Sequence, residues 1–292
     1  MTSWETWRSR AERVESGGLS IATYDIGDAS GAPVTFLHGY PSSSLDIEPV
    51  WREIGDGCRL LAVDFPGFGA SDKPVEHRYS IHAAADAVEQ MWRNRGTTKT
   101  VLVAHDYGDS VGQELLARRA DGALAVEVTA MVWMNGGVYP DLHRPTVGQQ
   151  MLLDPEHGAE VAAAVTEELF VEGIRATWGS RREMDAADVD GIWESMNERS
   201  GIALMHELLH YIGDRREHEA RWRAALESTE LPTVFVWGDL DPVSGAHMIE
   251  RVEQRLPSAR IVRLDDVGHW PLLEAPDVVA SEISALLRAN RS

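Results

Sequence analysis

Apolar positions along the chain fall into short blocks separated by polar, amphipathic stretches. "LSIATYDIG", "PVTFLHG", "RLLAVDFPG", "TVLVAHD" and "VEVTAMVWMNG" are dense in aliphatic and β-branched residues and end on Gly or Asp, which marks them as strands. Between them, segments 43–54, 81–95 and 107–119 carry apolar residues at helical spacing. This alternation predicts the βαβ rhythm of a mostly parallel sheet. The rhythm returns near the end with "PTVFVWG", a helix after Pro242, "ARIVRLDDVGH" and a helix from Ala275 onward. At the start, Trp4, Trp7, Ala11 and Val14 recur at helical spacing and predict an amphipathic helix lying against the body.

From about 138 to 226 the strand pattern is missing. Only helical patterns such as "AEVAAAVTEELFVEGI" and "SGIALMHELLHYIGDRREHEARWRAAL" occur there. The pattern therefore divides the chain into a first sheet segment (1–137), a helical insertion (138–226) and a second sheet segment (227–292). The insertion holds Trp178, Trp193, Met205, His206, His210, Tyr211 and Trp222, side chains able either to line a pocket or to pack helices together.

Composition narrows the function classes. With 292 residues, 43% hydrophobic and 25% charged, the chain is that of an ordinary globular protein able to bury a large core. Lys plus Arg number 27 against 47 Asp plus Glu, and the net charge of -20 opposes binding to nucleic acid or an anionic membrane. A small apolar or weakly polar substrate suits that surface, and the molecule is expected as a monomer or homodimer. A single cysteine, Cys58, excludes an internal disulfide and fits a reducing compartment, with the cytoplasm as default. The N-terminal segment has charges throughout and lacks the apolar core of a signal peptide. No run approaches the ~18 apolar residues of a membrane span. His206 and His210 share a helical face but lack the neighbours of a zinc-protease motif, and no phosphate or dinucleotide loop is present, so neither metal nor cofactor is expected.

The candidate chemistry lies at strand ends. Ala104-His105-Asp106-Tyr107-Gly108 follows the small-x-nucleophile-x-small pattern of a strand-to-helix elbow, which lifts the central side chain above the sheet. Asp106 stands at the nucleophile position, facing the N-terminus of the next helix. Asp109 so close by disfavours ionisation of Asp106 unless it is turned away. "FLHGYP" supplies a turn whose Tyr40 amide, with that of Tyr107, can form an oxyanion hole. Asp241 in "VWGDLDPV" is placed to orient an imidazole, and His269 in "DDVGHWP" follows the final strand. In chain order these read nucleophile, acid, base, each at the carboxyl end of a strand, where open α/β sheets bind their ligands.

With these motifs the sequence resembles the α/β-hydrolase family, in the aspartate-nucleophile branch that holds epoxide hydrolases and haloalkane dehalogenases. Within that branch it resembles the mesoderm-specific transcript proteins, through "DFPGFGASDKP", "HDYGDSVGQELLAR", "NGGVYPDLHRP" and "GDLDPV". The resemblance implies a mostly parallel sheet flanked by helices, with a helical cap inserted after the sixth strand. It also implies attack by Asp106 on a saturated carbon, then hydrolysis of the resulting ester by water activated by His269 and Asp241. The leaving group separates the two activities. Halide departure calls for N–H donors, and dehalogenases of this type generally carry Trp after the nucleophile, where this chain has Tyr107, and many have Asn at the position of Tyr40. Epoxide opening calls for cap tyrosines, and Tyr211, about thirty residues before Asp241, stands where the resemblance puts one. Tyr139 is the substitute for the second donor, with His143, His206 and His210 as further candidates. His38, His105, Trp178, Trp193, His206 and His210 are the expected substrate-binding residues. The reading is a cofactor-independent epoxide hydrolase, with a haloalkane dehalogenase as its alternative. A catalytically idle hydrolase-fold receptor or regulatory protein is the alternative of a different class.

Overall fold

A computed structural model describes residues 2–55 and 57–290. Its strands are β1 (Glu12–Ser16), β2 (Leu19–Gly27), β3 (Ala32–Leu37), β4 (Cys58–Val63), β5 (Lys99–His105), β6 (Glu127–Met134), β7 (Thr233–Gly238) and β8 (Arg260–Leu264). They form one sheet in the order β1-β2-β4-β3-β5-β6-β7-β8, antiparallel where β2 meets β1 and β4 and parallel elsewhere. Alternate side chains of β5 pass to opposite faces: Val101 and Val103 pack with Phe36 and Leu60, whereas Leu102 and Ala104 pack with Leu37 and Leu61. Both faces are covered, so the inner strands read as unbroken apolar runs.

The helices of the sheet segments are α1 (Trp4–Arg8), α2 (Glu48–Ile54), α3 (Ile81–Asn94) and α4 (Tyr107–Ala120). The N-terminal expectation is corrected here. α1 stops at Arg8, and Val14 lies on β1 rather than on a continued helix. Gly17 and Gly18, at φ +57° and +80°, form the two-residue turn that folds β1 back onto β2. The "SGG" turn signal outweighs the helical spacing before it.

After β6 comes a helical insertion: α5 (Val147–Leu152), α6 (Gly158–Ala163), α7 (Glu167–Arg175), α8 (Ala186–Asn197), α9 (Met205–Leu208), α10 (Tyr211–Glu217) and α11 (Glu219–Glu227). The long helical runs of the sequence break where side chains cap new starts. Thr166, for example, accepts the Leu169 amide and opens α7. The chain then completes the sheet with α12 (Ala246–Arg255), α13 (Pro271–Glu274) and α14 (Pro276–Ala289) around β7 and β8. Among the described residues no helix is long and apolar enough to cross a membrane.

Strand order reverses at β3, which pairs with β4 on one side and β5 on the other. Such a switch point opens a crevice at the carboxyl ends of the strands. The turns after β3, β5, β6, β7 and β8 carry Tyr40, Asp106, Asn135, Asp241 and His269 to that edge.

Candidate active site

The elbow between β5 and α4 sets the geometry. Asp106 is held at φ +47° and ψ -102°, a conformation that costs a non-glycine residue on the order of 1–3 kcal/mol and is sustained by its surroundings. A Cβ on Gly108 would lie 2.0 Å from the Leu37 carbonyl oxygen, so the small residue after the nucleophile lets α4 close onto β3. Gly39 plays the same part opposite, since a Cβ there would meet the His105 ring at 2.7 Å. The two turns thus come together and the Tyr40 amide donates to Asp106 Oδ2 at 3.0 Å.

His269 Nδ1 donates to Asp241 Oδ2 at 2.8 Å, and its Nε2 lies 4.0 Å from Asp106 Oδ2, within reach of one bridging water. Asp241 is fixed in turn by the Val243 amide at 2.8 Å and by Asn135 Nδ2 at 3.1 Å. Asn135 also pairs with both backbone groups of Gly238, tying the end of β6 to that of β7. On the other side of the nucleophile, the Tyr211 hydroxyl stands 3.5 Å from Asp106 Oδ1. Arg215 sits one helical turn further along α10. Its Nε donates to Ser110 Oγ at 2.6 Å, its Nη2 donates to the Asp106 carbonyl at 3.0 Å, and Nη2 lies 3.5 Å from Asp106 Oδ1. The guanidinium stacks over the Tyr211 ring at 4.5 Å.

These contacts set the charges. Burial alone would raise the Asp106 carboxyl, but His269 and then Arg215 hold it below the ordinary carboxylate range. Asp241 follows the same logic, with burial offset chiefly by His269. Burial opposes a charged His269, yet Asp241 and then Asp106 raise it to about 9. Asp109 is the reverse case. Fully buried against Gly136, its carboxyl is pushed well above the usual range by burial first and Asp106 second. That shift eases the conflict between two neighbouring acids.

A cavity of about 430 Å³ leads away from this centre. Tyr40, His269 and Trp270 line it together with Leu152, Val161, Phe170, Ile174 and Met205 of the insertion. Several expected residues lie elsewhere. Tyr139 is corrected: the chain turns at Asn135 (φ +45°) and two glycines, and the Tyr139 hydroxyl donates to Glu227 at 3.3 Å, away from Asp106. The Trp178 indole donates to the Arg182 carbonyl and Trp193 packs behind Phe170, so neither forms the cavity wall. His206 and His210 face Glu207, and His210 is exposed. His38 and His105 are framework residues. His38 donates to the Gly39 carbonyl and accepts the Phe65 amide, and His105 donates to the His269 carbonyl. Burial lowers each of them to about 4, keeping both neutral. His143 is half-buried and held neutral at about 4 by burial and then by Arg215. Tyr107 opens α4 at the elbow, but among the described residues it is the Tyr40 amide that is bonded to the carboxylate. No group of three metal-type ligands is assembled among the described residues.

Arg215 and Asn135 escape a reading of the sequence. Arg215 stands inside the charged run "GDRREHE", which looks solvent-facing, although its i, i+4 spacing from Tyr211 places both on one helical face.

The α/β hydrolase fold family model matches residues 32–276. The chain belongs to the α/β-hydrolase family. Among curated relatives of this hydrolase, the mesoderm-specific transcript homolog protein of Bos taurus is 33% identical over 283 residues, spanning 93% of this chain and 84% of that one. The cis-3-alkyl-4-alkyloxetan-2-one decarboxylase of Xanthomonas campestris is 25% identical over 296 residues, 94% of each chain. Among solved structures, haloalkane dehalogenase DbeA from Bradyrhizobium elkani superposes with a TM-score of 0.79 at 18% identity, covering 96% of this chain and 97% of that one, a likeness of fold.

Proposed function

We propose that this hydrolase opens epoxides through a covalent alkyl ester on Asp106. One observation carries the reading: the two oxygens of the nucleophile face different chemistry. Oδ2 accepts the Tyr40 amide on the side of His269, and Oδ1 faces the Tyr211 hydroxyl. Oδ1 attacks an epoxide carbon, the C–O bond breaks, and Tyr211 protonates the departing oxygen. Arg215, over the Tyr211 ring, steadies the phenolate left behind. Oδ2 becomes the ester carbonyl oxygen, already held by the oxyanion donor.

Ester formation also releases the base. While Asp106 is ionised, His269 is protonated at neutral pH. Alkylation removes that negative charge, and the imidazole pKa falls toward neutrality. The proton that His269 gives up restores the Tyr211 phenolate to its hydroxyl, and the neutral imidazole then takes a proton from water, which attacks the Asp106 carbonyl carbon. That proton passes to the departing alkoxide oxygen, and the diol is released.

Incubation of His269→Gln with a set of epoxides tests the reading. A covalent adduct of epoxide mass on Asp106 supports it. Absence of an adduct with every epoxide that the wild type converts contradicts it. The Trp178 and Trp270 indoles are engaged by the Arg182 carbonyl and the Thr177 hydroxyl and are not free to hold a departing halide, and Trp193 packs against Phe170 outside the cavity lining.

Arg215 favours a second reading, in line with the Xanthomonas relative. Attack at the oxygen-bearing ring carbon of an oxetan-2-one expels a carboxylate, which needs no proton and suits a permanently charged guanidinium. Water then yields a hydroxy acid, or loss of carbon dioxide expels Asp106 and leaves an alkene. Product analysis by mass spectrometry separates both from a diol.

A further inference from the structure

The cavity runs from two buried residues of the catalytic centre, Tyr40 and His269, to two residues largely open to solvent, Met151 (51% exposed) and Leu169 (63%). Its wall makes few polar demands on a ligand. Thr146 and Gln149 satisfy each other in the capping box of α5, and the Thr177 hydroxyl donates to the Ile174 carbonyl while accepting the Trp270 indole. The rest of the wall is mainly hydrocarbon and aromatic surface.

Two glycines stand in that wall inside helices. A Cβ added at Gly173 of α7 meets nothing within 4 Å, and one at Gly148 of α5 meets only the Thr146 hydroxyl at 3.8 Å. Neither has a positive φ that calls for glycine. Within a helix, glycine is less favourable than alanine by about 1 kcal/mol. Both positions are exposed and leave the cavity wall bare of side chains there. At ~30 Å³ for each water-sized group, the channel takes on the order of a dozen non-hydrogen atoms.

We infer that the substrate carries its reactive group at the end of a long unbranched hydrocarbon chain, which lies between α5 and α7 in a bore set by Gly173. The position of the reacting end rests on the reading of Asp106 given above. The chain site stands on the cavity alone.

A series of terminal epoxides from four to fourteen carbons tests the inference in the intact enzyme. kcat/KM is expected to rise about a hundredfold from the shortest to the best long substrate, through burial of added methylenes. Gly173→Leu is expected to collapse the ratio of long-chain to short-chain kcat/KM toward one. Gly173→Ala, which favours the helix, serves as the folding control and gives an intermediate ratio without a lower Tm. Calorimetric binding of unreactive 1-decanol reads the chain site independently of chemistry, and Gly173→Leu should weaken it at least tenfold. A flat chain-length profile, or 1-decanol binding that Gly173→Leu leaves intact, overturns the inference. Binding of 1-decanol by an enzyme that converts no epoxide and forms no adduct upholds the chain site and removes the epoxide reading.

Discussion

At the scale of single residues, the centre is a balance of charges that changes during turnover. Asp106 and Arg215 are a buried pair, 7% and 1% exposed at the side chain, and removing one partner of such a pair typically costs about 3–5 kcal/mol. Arg215→Met is therefore expected to lower stability by about 3 kcal/mol, and adding Asp106→Asn to recover part of that loss. A double-mutant cycle from urea unfolding measures the coupling. Tyr211→Phe should slow adduct formation by about a hundredfold or more, the usual range for a lost general acid, as read by single-turnover kinetics. His269 gives the pH test. Its pKa of about 9 rests on Asp241 first and Asp106 next, so Asp106→Asn should move its imidazole titration downward in an NMR experiment. An unchanged titration would separate the two groups electrostatically.

At the scale of elements, the elbow was readable because its requirements are steric. The glycine after Asp106 reflects the approach of α4 to β3, and Gly108→Ala should destabilise the fold by at least about 2 kcal/mol in thermal unfolding, because the clash is with backbone. Asp241 and His269 were readable for a related reason: each follows an apolar strand whose end the pattern marks. Arg215, Asn135 and the cavity wall were not. Their roles depend on which face of a short helix or turn meets the core, and charge runs such as "GDRREHE" look the same whether solvated or buried. Tyr139 misled because position along the chain does not report side-chain direction after a left-handed residue and two glycines.

At the scale of the whole molecule, the insertion is fastened to the sheet segments at α10–α11 and at the turn after α7, where the Thr177 carbonyl accepts the His269 amide and the Gly179 amide donates to Glu274. α10 and α11 are anchored by Arg215 on Asp106 and Ser110, and by Trp222 and Arg221 on Glu114 of α4. α5 and α7 instead wall a cavity and expose Met151 and Leu169. Hydrogen exchange should therefore run faster in α5–α7 than in α10–α11, and a long-chain ligand should slow the former selectively. The ligand path and the catalytic anchor thus occupy different parts of one insertion.

The covalent role of Asp106 joins all three scales, and isotope transfer in a single turnover tests it most directly. With enzyme in excess over epoxide in ¹⁸O-labelled water, the peptide containing Asp106 should gain one ¹⁸O while the diol remains unlabelled. Label in the diol, with Asp106 unlabelled, would mean that water attacks the substrate directly and would contradict the account.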